Sequence, residues 1–262
     1  MNNIKMPILF VGHGSPMNAI QDNIFTKNFR DISKMIERPK AILCISAHWF
    51  TDGTKVTAME NPKTIHDFYG FTKELYDIEY PAKGNRELAK KIIELLSSIK
   101  VEADLDWGLD HGTWSVLRHM YPEADIPVVQ LSIDYNQSAD YHFNLAKKLK
   151  ALRSEGVLVV GSGNIIHNLG MVDFDNLETE DYGYDWAKRV QKIINENINK
   201  GSFDPLIDYL KGGEDFKKAI PTPEHYLPLI YILGLKEEGE NIEIRNDLLV
   251  GGSISMTSVK IG

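Results

Sequence analysis

Short apolar runs alternate with amphipathic stretches along most of the chain. The apolar runs are rich in β-branched residues and end at turn residues, which is typical of strands covered on both faces of a sheet. The predicted strands cover residues 7–11, 41–46, 126–133 and 156–160. In the amphipathic stretches, apolar residues recur at helical spacing with lysine and glutamate between them. The predicted helices cover residues 85–99, 139–153 and 185–198.

The C-terminal part of the chain has a different pattern. Residues 242–245, 248–250 and 253–259 alternate apolar and polar positions, as antiparallel strands at a sheet edge do. Strands that alternate with helices are otherwise typical of an α/β fold. We therefore predict an α/β sandwich with a central mixed, mostly parallel sheet and helices on both faces. Because no linker rich in proline, glycine or serine interrupts the pattern, we expect residues 1–262 to form a single domain.

Composition and charge narrow the range of partners. The chain has 262 residues, of which 43% are hydrophobic and 25% are charged, and its net charge is −8. Acidic and basic residues are interspersed, so we expect a small-molecule partner and no binding to nucleic acid or membrane. The N-terminus lacks the layout of a signal peptide, which predicts a cytoplasmic protein. The single cysteine, Cys44, lies within a predicted strand, and we expect a small buried apolar residue there.

Four histidines stand near the ends of predicted strands or at a proline-marked turn. His13 and His48 follow the first two strands, and in open α/β sheets ligands bind beyond the carboxyl ends of the strands. His167 follows the fourth strand through a glycine-containing turn, and His225 precedes an apolar helix. One histidine in such a place is more often structural than functional. Four of them together indicate a single metal centre.

The other histidines have weaker signals. His142 lies on a charged helix face and is expected to be solvated, and His119 is expected to be a structural residue on a helix. His111 follows Asp110 at a predicted helix N-cap, where an imidazole that faces a pocket and one that is merely structural are equally plausible. His66 lies in an aromatic segment, and we assign it no direct chemical role.

Seven segments, taken in order, carry a resemblance to a known family. The chain resembles the DOPA-type extradiol dioxygenases, a branch of the class III extradiol ring-cleavage enzymes, nearly from end to end. The ordered set is far more specific than any one member. The segments are GHGSP at 12–16, SAHW at 46–49, HDFYGF at 66–71, DHGTW at 110–114, GSGN at 161–164 leading to His167, PEH at 223–225 and GSISM at 252–256.

The resemblance implies a function for each of these histidines. It implies that His13, His48 and His225 bind a metal and that His167 is the catalytic acid/base. His167 is also expected to bind the metal when no substrate occupies the site. Around the metal, His111 is a candidate for a catalytic hydrogen bond to substrate or oxygen. The implied reaction is extradiol cleavage of a catechol by dioxygen to an open-chain semialdehyde in a single catalytic domain. Iron(II) is the metal expected for catalysis, and zinc(II) is a plausible occupant.

The chemistry of the residues is compatible with this assignment and leaves alternatives open. Non-haem iron oxygenases usually use two histidines and one carboxylate, and Glu224 beside His225 is the obvious carboxylate alternative. We favour His225 as the ligand, and expect Glu224 in the first turn of a helix beginning at Thr222 or Pro223. Three imidazoles also suit zinc, which cannot change oxidation state. A zinc-dependent hydrolase and a metal-binding protein of this fold without dioxygenase activity are therefore the alternative functions.

Aromatic side chains near these segments are candidate walls for a flat substrate ring, although core packing explains each of them equally well. Ser15 and Asn164 are candidates for contacts behind the metal ligands. The segments contain no arginine that would bind a substrate carboxylate. The candidate wall residues are Trp49, Phe68, Tyr69 and Trp114.

Overall fold

The computed structural model describes residues 5–177 and 179–262. The strands in these ranges are β1 (Ile8–Gly12), β2 (Ala41–Ser46), β3 (Phe50–Thr51), β4 (Thr54–Thr57), β5 (Val101–Asp104), β6 (Val128–Gln130), β7 (Ile133–Asp134), β8 (Val157–Gly163), β9 (Ile242–Arg245), β10 (Leu249–Val250), β11 (Ile254–Ser255) and β12 (Ser258–Ile261). The helices are α1 (Ile24–Lys34), α2 (Lys73–Tyr76), α3 (Arg86–Leu95), α4 (His111–Met120), α5 (Ala139–Lys147), α6 (Asp185–Lys200), α7 (Asp204–Ile207), α8 (Glu214–Ala219) and α9 (Leu227–Leu235). Short 3-10 turns cover Pro16–Ala19, Lys150–Glu155, Leu169–Met171, Phe174–Asn176 and Tyr209–Lys211.

The central sheet has the strand order β6-β2-β8-β1-β12-β9. Strands β6, β2, β8 and β1 are parallel, with Ala41 opposite Val157 and Ile8 opposite Val159. Strands β12 and β9 continue the sheet in antiparallel pairing. The predicted α/β fold with a mixed, mostly parallel sheet is therefore confirmed. Strand β8 separates β1 from β2, although these two come first in the chain.

Alternate residues of the central strands pack into two separate cores, one on each face of the sheet. In β2, Leu43 and Ile45 face a core that includes α3, α5, α6 and α9. Ile42 and Cys44 face the other core, which includes α1 and α4. Cys44 is free and buried as predicted, and burial raises the pKa of its thiol. Among the described residues, no helix is both long enough and apolar enough to cross a bilayer.

The strand predicted at 126–133 and the helix predicted at 139–153 are each interrupted in the structure. The strand predicted at 126–133 is divided between β6 and β7, since Leu131 bridges to Val56 and β7 pairs with β3 outside the central sheet. The helix predicted at 139–153 is also shorter. Its first part forms α5, and its last part is a 3-10 turn that ends at Gly156 in a left-handed conformation with φ of 88°. Helical spacing in the sequence does not distinguish these two helix types.

The strands predicted at 248–250 and 253–259 do not both extend the central sheet. Strand β12 pairs with β1 and β9, whereas β10 and β11 pair with each other in a separate ribbon. Alternation of apolar and polar residues predicts that a segment is extended. It does not identify the neighbouring strand, which depends on the turns between segments.

The prediction that a helix begins at Thr222 or Pro223 is wrong. Helix α9 begins at Leu227, and Pro228 occupies its first turn, where the missing N–H of proline costs no hydrogen bond. The residues before α9 form an irregular turn that carries His225. This turn, rather than a helix, presents the imidazole to the sheet edge.

The prediction that His142 is solvated is also wrong. His142 is 0% exposed, and its Nδ1 lies 2.9 Å from the hydroxyl of Tyr231 on α9. Leu145 and Ala146, three and four residues further along α5, are buried on the same helix face. Burial lowers the pKa of His142 to about 4. The charged residues near His142 in α5 suggested an exposed helix face, and the sequence has no local signal that α9 covers it.

A buried arginine joins three distant parts of the fold. Arg153 is 1% exposed and donates hydrogen bonds to the carbonyls of Met6 (2.9 Å), just before β1, and Leu235 (3.1 Å), at the end of α9. Its guanidinium also makes two bonds to the carboxylate of Glu240, at 2.9 and 2.6 Å. Burial alone would raise the pKa of Glu240, but hydrogen bonds from Arg153 and Lys5 outweigh it and lower the pKa to about 2.

Replacing Glu240 by glutamine is expected to destabilise the fold, because a buried guanidinium loses its counter-charge. The free energy of unfolding in urea at pH 7 should fall by about 2 kcal/mol, less than is typical of a fully buried pair because Glu240 lies near solvent. The carboxylate stabilises the fold above its unfolded pKa of 4.5 and ceases to do so as it protonates near pH 2, so the difference should shrink over that interval.

The matched control is Glu214→Gln, which breaks an exposed pair with Lys217 and should leave stability unchanged within error. Equal stability of Glu240→Gln and the unaltered protein at pH 7 would contradict the assigned role of the Arg153 pair.

Candidate metal centre

The carboxyl ends of β2, β8 and β1 lie side by side because the three strands are parallel neighbours. His13 directly follows β1, and its backbone N–H donates to the carbonyl of Gly163 at the end of β8, at 3.1 Å. On the other side of β8, the N–H of Ala47 donates to the carbonyl of Ser162 at 2.9 Å. His48 is the next residue after Ala47. The sheet therefore holds the two imidazoles on either side of one strand end.

Two further elements bring histidines to this edge. The carbonyl of His225 accepts a hydrogen bond from the N–H of Asn164 at 2.9 Å. A Cβ at Gly163 would lie 2.2 Å from that carbonyl oxygen, so glycine is required for this close approach. Helix α4 begins at His111, and its N-cap Asp110 accepts a hydrogen bond from the N–H of Thr113 at 3.1 Å.

The structure brings the four predicted histidines and His111 into one cluster. The ring centroid of His48 lies 5.0 Å from that of His13, 3.8 Å from that of His111 and 5.1 Å from that of His225. The centroids of His13 and His225 are 5.4 Å apart. His167 stacks on His225 at 3.5 Å with an interplanar angle of 10°.

Two groups within this cluster have donor atoms close enough to share an ion. The donor atoms of His13, His48 and His111 lie within 4.8 Å of one another. The donor atoms of His167, Glu224 and His225 form a second group with the same spacing. His13, His48 and His225 were predicted to bind one metal. His225 belongs to a different close group from the other two, although its ring lies beside both of theirs.

The ring nitrogens of His13 have defined roles. Its Nδ1 lies 3.0 Å from the hydroxyl oxygen of Ser162, and that hydroxyl donates its hydrogen to the carbonyl of Gly112 at 2.5 Å. Because a serine hydroxyl has a single hydrogen, Nδ1 of His13 must be the donor in its contact with Ser162. The proton of the neutral imidazole is then on Nδ1, and Nε2 carries a free lone pair.

At His48 and His225 the group that faces Nδ1 is a carboxylate. Nδ1 of His48 lies 3.2 Å from Oδ2 of Asp67, and Nδ1 of His225 lies 3.2 Å from Oε1 of Glu224. An ionised carboxylate only accepts hydrogen bonds, so its approach favours the tautomer with the proton on Nδ1 in both imidazoles. All three histidines therefore have an Nε2 lone pair available for a metal.

The contact between His13 and His48 is the observation that decides whether a metal fits. Their Nε2 atoms are 3.2 Å apart, so with the proton of each ring on Nδ1 two lone pairs face each other. Burial, together with neighbouring imidazoles, lowers the pKa of both rings well below the usual value, so neither ring is an imidazolium at neutral pH. Two imidazoles on one tetrahedral ion at about 2.0–2.1 Å would have their nitrogens about 3.3 Å apart. These residues fit a divalent metal.

The other two predicted residues are also uncharged at neutral pH. Burial, assisted by His225, lowers the pKa of His167 to about 3. Burial lowers the pKa of His225 despite the opposing influence of Glu224. Burial would raise the pKa of Glu224, but hydrogen bonds from His225 and Thr222 lower it to about 2. The centre thus combines neutral imidazoles with ionised carboxylates directly behind them.

The aromatic candidates do not all lie at the site. The ring of Phe68 is 5.5 Å from that of His111, so it borders the cluster. Trp49 stacks on Trp107 at 5.8 Å, and buried Trp114 donates its indole N–H to a backbone carbonyl. The prediction that Tyr69 forms a wall is wrong, because its side chain is 92% exposed.

The remaining candidates have structural contacts. His66 Nε2 lies 2.9 Å from the carbonyl of Ile78, and His119 Nε2 lies 2.7 Å from the carbonyl of Asn18. Ser15 is exposed and caps a 3-10 turn. Asn164 donates to the carbonyl of Ser255 at 2.7 Å, which fixes the turn that leads to His167.

Sequence reasoning did not identify Asp67 or Ser162 as functional residues. Both lie inside segments that carry the family resemblance, and Asp67 is a carboxylate between two histidine-bearing segments. A charged residue in an otherwise aromatic segment is a signal that could have singled it out. Ser162 lies within the buried strand β8, where serine has little reason to occur unless its hydroxyl is hydrogen-bonded.

Comparison with known proteins agrees with this geometry. Residues 7–261 match the sequence profile of the family described as the catalytic LigB subunit of aromatic ring-opening dioxygenase. The chain belongs to the LigB family. It is accordingly an aromatic ring-opening dioxygenase of the extradiol class, which confirms the predicted resemblance and enzyme class.

Two relatives of this LigB-family chain are similar over nearly their whole length. The Escherichia coli (strain K12) protein named 4,5-DOPA dioxygenase extradiol is 48% identical, over 100% of this chain and 97% of the relative. The protein of the same name from Beta vulgaris is 37% identical, over 99% and 97%. A crystal structure of an uncharacterized protein from Escherichia coli K12 matches with a TM-score of 0.84 and 43% identity, over 98% of this chain and 100% of that one.

Replacing Ser162 by alanine is expected to weaken metal binding, because Nδ1 of His13 loses the acceptor that fixes its proton. The affinity for zinc(II), measured by competition with a chromophoric chelator, should fall by about 10–100-fold. Ser97→Ala, which removes an exposed hydroxyl, is the control and should bind zinc as the unaltered protein does. Unchanged affinity in Ser162→Ala would show that something else determines the His13 tautomer.

Proposed function

We propose that this LigB-family enzyme is a metal-dependent extradiol dioxygenase that cleaves a catechol of the DOPA type with dioxygen. The expected product is an open-chain semialdehyde. The observation that carries the proposal is the 3.2 Å approach of the Nε2 atoms of His13 and His48, a spacing that suits two imidazoles bound to one ion. The names of the relatives from Escherichia coli and Beta vulgaris support DOPA as the substrate type.

His13, His48 and His225 would hold the metal through Nε2. Their Nδ1 atoms face Ser162, Asp67 and Glu224, so each ring has one nitrogen free for coordination. Three protein ligands leave positions for a catechol and dioxygen. Iron(II), when bound, supplies the electron that dioxygen activation requires, whereas zinc(II) binds the same imidazoles without redox chemistry. We therefore propose iron(II) as the catalytic metal, with zinc(II) as an alternative occupant that does not support ring cleavage.

His167 would act as the acid/base. Its ring stacks on that of His225 at 3.5 Å, so it lies beside the metal position. It is neutral, and a neutral imidazole accepts the proton that a catechol hydroxyl releases on binding. The same proton is then available to an oxygen of the opened ring. Proton transfer by a positioned group of this kind contributes about 10²–10⁴-fold in rate.

His111 would hydrogen-bond the substrate or oxygen. Its ring is 3.8 Å from that of His48 and 5.5 Å from that of Phe68. Phe68 offers an aromatic edge next to the polar cluster, which suits the ring of a catechol. His111 also belongs to the close donor group with His13 and His48, so it lies within reach of the same ion.

The apoprotein loaded with iron(II) without oxygen, and then exposed to air with a set of catechols including DOPA, is expected to consume oxygen. A coloured semialdehyde should form in proportion to the oxygen consumed. An oxygen electrode and absorbance spectra measure both, and the zinc(II)-loaded enzyme is the control that should do neither. No oxygen uptake with any catechol would overturn the proposal, and zinc-dependent ester hydrolysis in its place would favour the hydrolase.

Alanine variants are expected to separate metal binding from proton transfer. His13→Ala should lose metal binding and turnover together. His167→Ala should retain most of its metal affinity and lose turnover by about 10²–10⁴-fold, because proton transfer is removed while the three ligands remain. Metal content and oxygen uptake are measured on the same preparations. Loss of metal from His167→Ala as complete as from His13→Ala would identify His167 as mainly a ligand.

A further inference from the structure

A single carboxylate, that of Asp67, contacts two imidazoles that different elements supply. Its Oδ2 lies 3.2 Å from Nδ1 of His48, which follows β2, and 3.0 Å from Nδ1 of His111, the first residue of α4. Both ring nitrogens therefore lie at ion-pair distance from one carboxylate oxygen, which favours a proton on each Nδ1. Oδ1 accepts the backbone N–H of His111 at 2.9 Å.

The segment that carries Asp67 is fixed to the same helix start. The N–H of Ile65 donates to the carbonyl of Leu109 at 2.8 Å, and the indole of Trp114 donates to the carbonyl of Ile65 at 2.8 Å. These bonds hold residues 65–67 against the beginning of α4 from both sides. The position of the carboxylate is therefore determined by the backbone and not only by the histidines that it contacts.

The charge of the centre gives this contact a further role. Three neutral imidazoles leave both positive charges of a divalent ion uncompensated by its ligands. Asp67 stands behind His48, and Glu224 stands behind His225, each about one imidazole away from the metal position. Carboxylates in such places fix ring orientation and make the ligand nitrogen more basic.

We propose that Asp67 is a positioning residue that keeps His48 in its metal-binding tautomer and sets His111 beside it. The proposal rests on the metal site of the proposed function. Asp67 itself contacts neither metal nor substrate. It acts by accepting the Nδ1 proton of His48, which leaves the Nε2 lone pair directed at the metal, and by holding the N-terminus of α4 at the distance that places His111 in the cluster.

Asparagine at this position separates hydrogen-bond polarity from shape. If its oxygen accepts the His111 N–H, its amide group faces the ring nitrogens and forces His48 to carry its proton on Nε2, where the metal would bind. If the amide is reversed, its N–H₂ opposes the N–H of His111. Neither orientation satisfies both contacts. Alanine removes the carboxylate without introducing a donor, so His48 can still reach its metal-binding tautomer.

The test measures zinc(II) affinity by chelator competition in Asp67→Asn, Asp67→Ala and the control Asp77→Asn, an exposed carboxylate in the following helix region. Asp67→Ala should lose about 10–100-fold in affinity, and Asp67→Asn at least as much. Thermal unfolding of the metal-free proteins should show that both variants fold, and cobalt(II) absorption should change in both. Asp77→Asn should match the unaltered protein in every measurement.

A purely structural role predicts the opposite order, because asparagine keeps the shape of the side chain and alanine leaves a void. Affinity near that of the unaltered protein in Asp67→Asn, with a loss confined to Asp67→Ala, would therefore overturn the proposal. These titrations need no catechol. Weakened metal binding in both variants, with no ring cleavage by the unaltered enzyme, would support the role of Asp67 while the proposed function fails. Absence of metal binding in the unaltered protein would overturn both.

Discussion

The pairing of β8 between β1 and β2 is the constraint on which the rest of the site depends. Because all three strands are parallel, their carboxyl ends meet at one sheet edge, where His13 and His48 emerge on either side of β8. The same strand end supplies Ser162, and its glycine lets the turn with His225 approach. No single loop could hold so many imidazoles together. The metal position is a property of the sheet.

The centre also separates the two tasks that a ligating carboxylate usually combines. In a site with two histidines and one carboxylate, the acidic group both binds the ion and neutralises part of its charge. Here the close imidazoles bring lone pairs, and Asp67 and Glu224 bring negative charge from behind the rings. The charge is thus spread over two outer positions, and the inner positions stay neutral and uniform. Such a centre would discriminate poorly between metals by ligand type, so the supply of metals would influence which ion it binds.

Local pattern was sufficient to predict much of this fold. Strands 41–46 and 242–245 have the predicted bounds, because each is a short extended run with turn residues beside it. The four histidines were predictable because strand ends in an α/β sheet have a known relation to ligand sites. Contacts made by distant segments were not predictable. The link from Asp67 to His111 crosses 44 residues, and the cover that α9 places over His142 has no local signal.

The insertion of β8 has a consequence for how the chain folds. Strands β1 and β2 lie early in the sequence, yet both pair with β8, which comprises residues 157–163. Neither pairing can form until that segment joins the sheet. Closing such long loops costs entropy before any hydrogen bond is gained, so this pairing is intrinsically slow. His13 and His48 are consequently far apart in any chain that has not completed its sheet. A metal ion bound by both histidines would stabilise the folded protein and would bind only weakly to partly folded forms.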